Sequence, residues 1–276
     1  MKPLLIGEEC AIGRGEYSHY TFSIPFQIVL PFLALMTTLF ALTSHCADSS
    51  LRRLDYAAVS QMALLELFIE GIDNKERIGG YVEYPDNISE WEGLTFNDTN
   101  EVTEIDWESH GFEGSLALKW LPFSVTELLL FQNTLSGSID LASLPDKMEE
   151  LDLSCNSFTG EIDLCFLPDS LIILDLSNNM LSGTVDLEDL PKSLMKLYLY
   201  QNAFTGNINL TSLPDDMEEL SLSQNDFSGE IDFSSLSDKL ARLNIAETNI
   251  SGAIRANDKK QIITKDSKVS VIGEKH

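Results

Sequence analysis

The chain has 276 residues, 43% hydrophobic and 22% charged, a globular composition with room for one large domain or two small ones. Its 44 Asp plus Glu outweigh 18 Lys plus Arg and leave a formal net charge of -26. So acidic a surface repels phosphate backbones, which excludes nucleic acid as a partner and leaves a basic partner or a divalent cation as the better fit.

Phe22 to Thr43 contains 22 residues without a charge, and about 20 apolar residues suffice to span a bilayer. The run ends at SHCA, where Ser44 and Cys46 are small enough for signal-peptidase cleavage before Ala47. Lys2 and Arg14 are offset by Glu8, Glu9 and Glu16, whereas Arg52 and Arg53 follow the run, so charge gives no orientation. Residues 1–46 are therefore read as a cleaved signal peptide or as a membrane tether over residues 22–43, with neither as the third option. Both of the first two send the rest of the chain out of the cytosol, to secretion or to the cell surface.

Residues 47–97 form an N-terminal cap in this reading. Leu51, Leu54, Ala58, Met62, Leu65 and Ile69 recur at spacings of three and four, predicting an amphipathic helix over 51–72 with Ser49 or Ser50 at its start and Gly71 near its end. A loop follows over Asp73 to Asn87, then the segment ISEWEGLTF at Ile88 to Phe96.

From Leu121 onward the phrase LPxxMEELxLSxNxFSGEIDLxx recurs every 23 residues. Leu121, Leu144, Leu167, Leu190, Leu213 and Leu236 mark its starts, and all but the last precede proline. The same grid holds one period earlier at Val102, Ile105, Trp107, Phe112 and Gly114, with His110 in place of Asn. One period later it holds at Leu240, Leu243, Ile245, Ile250 and Gly252, with Thr248 in place of Asn. The array thus occupies residues 98–258 as seven coils, two of them degenerate and terminal, as a capped stack requires. Residues 259–276 are a C-terminal cap or tail, whose QIITKDSKVSVIG suits one or two short strands protected by lysines.

The unit LxxLxLxxNxF and the phrase LSxNxFSGxI resemble the leucine-rich repeat family, in particular plant-type extracellular repeats, and with IDL and LP also the repeats of protist surface antigens. The resemblance implies an α/β-type repeat solenoid with one short parallel strand per coil, an irregular convex side and an N-terminal capping helix. ISEWEGLTF is similar to the tryptophan-containing cap of plant-type repeats, without its usual flanking cysteines, and that places Trp91 in cap packing.

Within a coil, MEELDLSCN alternates apolar Leu151 and Leu153 with polar residues, the mark of a strand with one face buried. Asn133, Asn156, Asn179, Asn202 and Asn225 sit at the following corner, where their amides can serve backbone groups of the adjoining coil as a structural ladder. The glycine column needs a backbone bend that a side chain would strain. Asp140, Asp163, Asp186 and Asp232 form a returning-side column, interrupted by Asn209, suited to capping the turn IDLxxL; a cation ladder is the alternative, with one carboxylate per coil and no companion ligand.

Function is expected where the copies disagree. On the strand face the copies present mostly acids and serines, but Leu129 with Phe131, Ile173, Lys196, and Tyr198 with Tyr200 depart from that norm beside Asp152 and Asp175. Aromatic anchors in a polar rim are the composition of a binding patch. The expected function is a non-catalytic recognition module that binds a protein or glycan through this concave face, without a cofactor. The alternative is a structural or coat protein whose acidic surface as a whole matters. Glycosylation sequons at Asn87, Asn97, Asn209 and Asn249 all avoid the strand face. Cys10, Cys46, Cys155 and Cys165 read as free thiols, the last two buried. His19, His45, His110 and His276 are scattered, and no phosphate loop, zinc spacing or nucleophile motif accompanies them, so the chain does not read as an enzyme.

Overall fold

Each LxxLxL segment puts its leucines on one side of an extended backbone and its intervening residues on the other, and it folds as a short strand. Six of these are Glu127–Leu129, Glu150–Asp152, Ile173–Asp175, Lys196–Tyr198, Glu219–Ser221 and Arg242–Asn244. They pair in parallel with Val102–Asp106 before them and Gln261–Ile263 after them, and Leu94–Phe96 closes the N-terminal edge antiparallel. The result is the nine-stranded concave sheet of a solenoid of about eight turns.

The structure is a computed structural model that describes residues 59–79, 87–255 and 261–272. All of these fall in the second of two compact units, Ala57–His276. The apolar run 22–43, its cleavage site, Cys10, Cys46 and the first part of the expected cap helix lie outside the described residues. Among the described residues no helix is long and apolar enough to cross a membrane.

Every coil also carries a second strand, from Glu113–Ser115 through Ser157–Glu161 and Ala203–Asn207 to Lys268–Ile272, and these build an eight-stranded parallel sheet. The one-strand reading omits it because xFSGx alternates over too few residues to separate from a turn. The convex side is where the irregular backbone lies. At Leu141–Ser143, Leu164–Phe166 and Phe233–Ser235 it forms single 3-10 turns capped by Asp140, Asp163 and Asp232.

Between the sheets lies one continuous core of leucine, isoleucine and phenylalanine. Phe112, Leu135, Phe158, Leu181, Phe204 and Phe227 stack as a buried column. No coil buries enough apolar surface alone to offset the entropy of ordering its backbone, so the stack is the folding unit.

The cap differs from expectation in its span. The helix runs Gln61–Phe68, with Ser60 in extended conformation as its N-cap and its hydroxyl accepting from the Ala63 amide. A cap at Ser60 precludes one continuous helix over 51–72, because its backbone dihedrals are not helical. The loop after the helix does structural work: Asn74 donates to the Gly111 carbonyl and accepts from the Glu113 amide, while Arg77 donates to the His110 carbonyl at 3.0 Å. Gly114, at φ +98, lets Gly71 approach so closely that an added Cβ would stand 2.1 Å from the Gly71 oxygen. Trp91 is buried against Trp107, which also stacks on Phe68.

At the other end, Gln261–Ile263 and Lys268–Ile272 continue both sheets as a shortened last turn. Arg242 pairs with Gln261, an offset of 19 against 23 between the preceding parallel strands of that sheet, which is why the repeat grid does not reach it. The expected burial of the two central cysteines is corrected: both are free, Cys165 is exposed and Cys155 is half-buried. Cys165 is the middle residue of a convex turn, and Cys155 occupies a left-handed corner at φ 53.

Candidate recognition site on the concave sheet

The asparagine corner fixes the frame of the site. Asn179 donates to the carbonyls of Leu176, Ser177 and Leu153, the last in the preceding coil, and accepts from the Phe158 amide at 3.0 Å. Asn133, Asn156, Asn202 and Asn225 repeat this pattern of bonds to the coil before. His110 does not substitute for an asparagine: its ring bonds the Glu108 carbonyl of its own coil and stacks on Phe112. Neutral imidazole has a single N–H donor, whereas the asparagine amide nitrogen donates to carbonyls of two coils at once.

Strand register turns the 23-residue grid into rows of real neighbours. One row reads Leu129, Asp152, Asp175, Tyr198, Ser221, Asn244, each paired with the next. The adjacent row reads Glu104, Glu127, Glu150, Ile173, Lys196, Glu219, Arg242. Beyond the strand ends Phe131, Ser154, Ser177, Tyr200 and Ser223 follow the same 23-residue spacing.

Most of these side chains are half-buried, Arg242 is exposed, and Ser154, Ser177, Ser221 and Ser223 are buried. That burial is more than strand alternation alone predicts for the outward face. Asp175, Tyr198, Tyr200, Glu219, Arg242 and Ile263 line a shallow depression of about 350 Å³. Leu129, Phe131, Asp152, Ile173 and Lys196 are not among its lining, and the first two stand three and two strand steps from Tyr198 and Asp175 respectively.

Tyr198 Oη donates to Glu219 Oε2 at 3.0 Å, and Arg242 Nη1 lies 3.7 Å from the same oxygen. Burial and the bond to Glu219 raise the tyrosine's pKa. Arg242 Nε also donates to Gln261 Oε1. Glu219, Arg242 and Ile263 were missed as site residues because polar strand positions look alike in sequence and Ile263 lies off the repeat grid.

The acids nearer the N-terminus have less compensation, with Lys196 acting on Glu150. Burial raises the pKa of Glu108, Glu127 and Glu150, with neighbouring carboxylates adding to the effect in each case. Asp175 is raised to about 6, chiefly by burial, against the lowering effect of bonds from the Ser177 hydroxyl and amide and with a further push from Asp152. Between its ordinary value and about 6 the folded state holds a proton that the unfolded state has lost, so stability falls as pH rises through that window. Asp175→Asn keeps the oxygen that accepts from Ser177 and removes the charge. It is expected to stabilise the chain by about 2 kcal/mol at pH 7.5, with the gain vanishing below about pH 4, when urea unfolding is followed at both values. A constant difference across pH would refute this.

On the convex side Asp140, Asp163 and Asp232 accept the amides of Ala142, Cys165 and Ser234, and Asp186 accepts that of Glu188. These bonds are turn caps. Among the described residues no cluster of three or more metal-binding side chains forms. The sequon asparagines are exposed: Asn87 and Asn97 in the cap region, Asn209 on a convex turn and Asn249 at the start of a second-sheet strand. Asn209 Nδ2 donates to Glu188, and Asn97 Nδ2 to Glu101.

Two parallel sheets built coil upon coil and an asparagine ladder between coils define a repeat solenoid. The sequence model of the family Leucine Rich Repeat matches residues 147–167 and 170–191. Those two matched repeats and the solenoid fold are consistent with a leucine-rich repeat protein, and the repeats resemble plant extracellular ones. Among solved structures it is similar to the leucine-rich repeat ectodomain of the Arabidopsis receptor kinase HAESA, in complex with an N-terminally lengthened IDA peptide hormone ligand, at 25% identity and a TM-score of 0.58. That match covers 70% of this chain and 34% of the ectodomain, so the chain spans about a third of that relative's length. A pollen receptor kinase 3 structure matches at 24% identity and TM-score 0.55, over 76% of this chain and 95% of that one. A plant ice-binding protein matches at 20% and 0.54, over 76% and 71%. These last two show the fold alone. No curated protein is significantly similar to the chain.

Proposed function

We propose that the chain is a non-catalytic recognition module that binds a protein or peptide partner through its concave sheet, outside the cytosol. The observation that carries this reading is the depression in which Tyr198 and Tyr200 stand beside Asp175, Glu219 and Arg242. Paired aromatics in a pocket with charged groups at its edge have the make-up of an interface anchor. The position of the tyrosines supports it further, since every other coil places an acid, a small residue or an aliphatic at one or both of those two positions. The likeness to an ectodomain that holds a peptide hormone is consistent with it.

The test uses the full chain as bait on the surface fraction of its native host, with chemical crosslinking. Tyr198→Ala/Tyr200→Ala is expected to lower partner recovery at least tenfold while thermal unfolding stays within a few degrees, since both side chains are only half-buried. Recovery abolished by protease assigns a protein partner, and recovery abolished by glycosidase assigns a glycan instead. Equal recovery by both forms, with binding that follows ionic strength alone, would replace this reading with that of an acidic coat protein.

A further inference from the structure

The first five concave strands carry seven acids, Glu104, Asp106, Glu108, Glu127, Glu150, Asp152 and Asp175, against the single cation Lys196 at equivalent positions. Lys196 acts on Glu150. Among the described residues neither Asp152 nor Asp175 forms an ion pair. Each directs Oδ1 to the amide and hydroxyl of the serine two residues on, Ser154 and Ser177, which leaves Oδ2 without a hydrogen bond from a described residue.

These two residues stand side by side on adjacent parallel strands. The same row is bounded on one side by Leu129 and on the other by Tyr198. Phe131 and Tyr200 extend the two walls, and buried Ser154 and Ser177 make the ground between them low. Leu129 and Tyr198 are three strand steps apart, roughly 14 Å at about 4.8 Å per step. An extended peptide covers the same span, roughly 14 Å, between residues i and i+4, and residues i, i+2 and i+4 point to one side of it.

We infer that the concave sheet binds an extended peptide segment of the form apolar-x-basic-x-apolar, whose central Arg or Lys sits over Asp152 and Asp175 while the outer residues meet the Leu129/Phe131 and Tyr198/Tyr200 walls. This inference rests on the recognition role proposed above and names the partner's chemistry. The central cation supplies the charge that the row lacks, and the aromatic rings beside it add cation–π attraction. An acidic occupant would add to a field that already raises the pKa of its own carboxylates.

The experiment is a selection of random nine-residue peptides displayed on phage against the immobilised full chain, repeated on Asp152→Asn/Asp175→Asn and on Tyr198→Ala/Tyr200→Ala. Enriched peptides are expected to carry Arg or Lys with apolar residues two positions to either side. Their affinity is expected to drop at least tenfold in each double variant and to fall with added salt for the wild type. Asparagine keeps the oxygen that Ser154 and Ser177 use, so the Asp variant remains folded and its loss of binding reports charge. Enriched peptides that depend on the tyrosines but lack a basic residue, or that bind the asparagine variant unchanged, overturn the basic motif and leave concave recognition standing. Absence of any enrichment, or enrichment indifferent to both variants, overturns both.

Discussion

Asn179→Ala is expected to cost about 3–5 kcal/mol in equilibrium urea unfolding, because it strands several buried backbone groups at once. Leu153, Leu176 and Ser177 each lose a donor to their carbonyls, and the Phe158 amide loses its acceptor. The site is buried at the centre of the stack, where water does not replace the amide. Aspartate supplies the acceptor without the donors and is expected to cost nearly as much. A loss below about 1 kcal/mol for Asn179→Ala would show that the ladder is not what ties one coil to the next.

Trp107→Ala is the second large effect, about 3–5 kcal/mol on the scale of buried aromatic truncations. Trp107 is 0% exposed, stacks on Phe68 at 6.2 Å, meets Phe112 edge-on at 5.6 Å and donates through Nε1 to the Glu92 carbonyl at 2.7 Å. It joins the cap helix, the tryptophan segment and the first coil. Its removal should therefore act locally. Hydrogen exchange is expected to rise at Gln61–Phe68 and Leu94–Phe96 while the concave strands from Ile173 to Ser221 keep their protection, because stacked repeats couple mainly to their neighbours. Uniform loss of protection along the stack would refute that local role. The asparagine substitution, placed mid-stack, should instead split protection on both of its sides.

Asp175 links stability to recognition. A carboxylate held near pH 6 by burial destabilises the free protein at neutral pH, and a bound cation would remove that penalty. Gain of stability together with loss of peptide binding in Asp175→Asn is the joint signature, and a residue with a purely structural role would not produce it.

The coil could be read from sequence because its signals repeat. Leucine alternation, the asparagine corner from Asn133 to Asn225 and the glycine bends each recur at 23-residue spacing, so a weak local preference becomes strong by repetition. Where repetition stops, legibility stops too. The cap helix is not one continuous run over 51–72 because its apolar spacing passes through Ser60, whose extended backbone starts the described helix. The last turn reads as a cap or tail of one or two short strands and not as a further coil because its two strands return after 19 and 17 residues. Arg77 and Asn74 looked like loop residues, yet their bonds to the backbone near His110 and Gly111 anchor the first coil.

By itself the sequence determined the period, the strand that each coil contributes, the columns that hold neighbouring coils together and the acidic field over the surface. Those depend on local alternation and on contacts one repeat away, both written into a 23-residue phrase. Only the tertiary structure decided that Tyr198 shares Glu219 with Arg242, that Ile263 closes the depression, and that Leu129 and Tyr198 stand three strands apart with Asp152 and Asp175 between them. Those relations cross the strands, and they are set by register, curvature and the angle at which one coil stacks on the next.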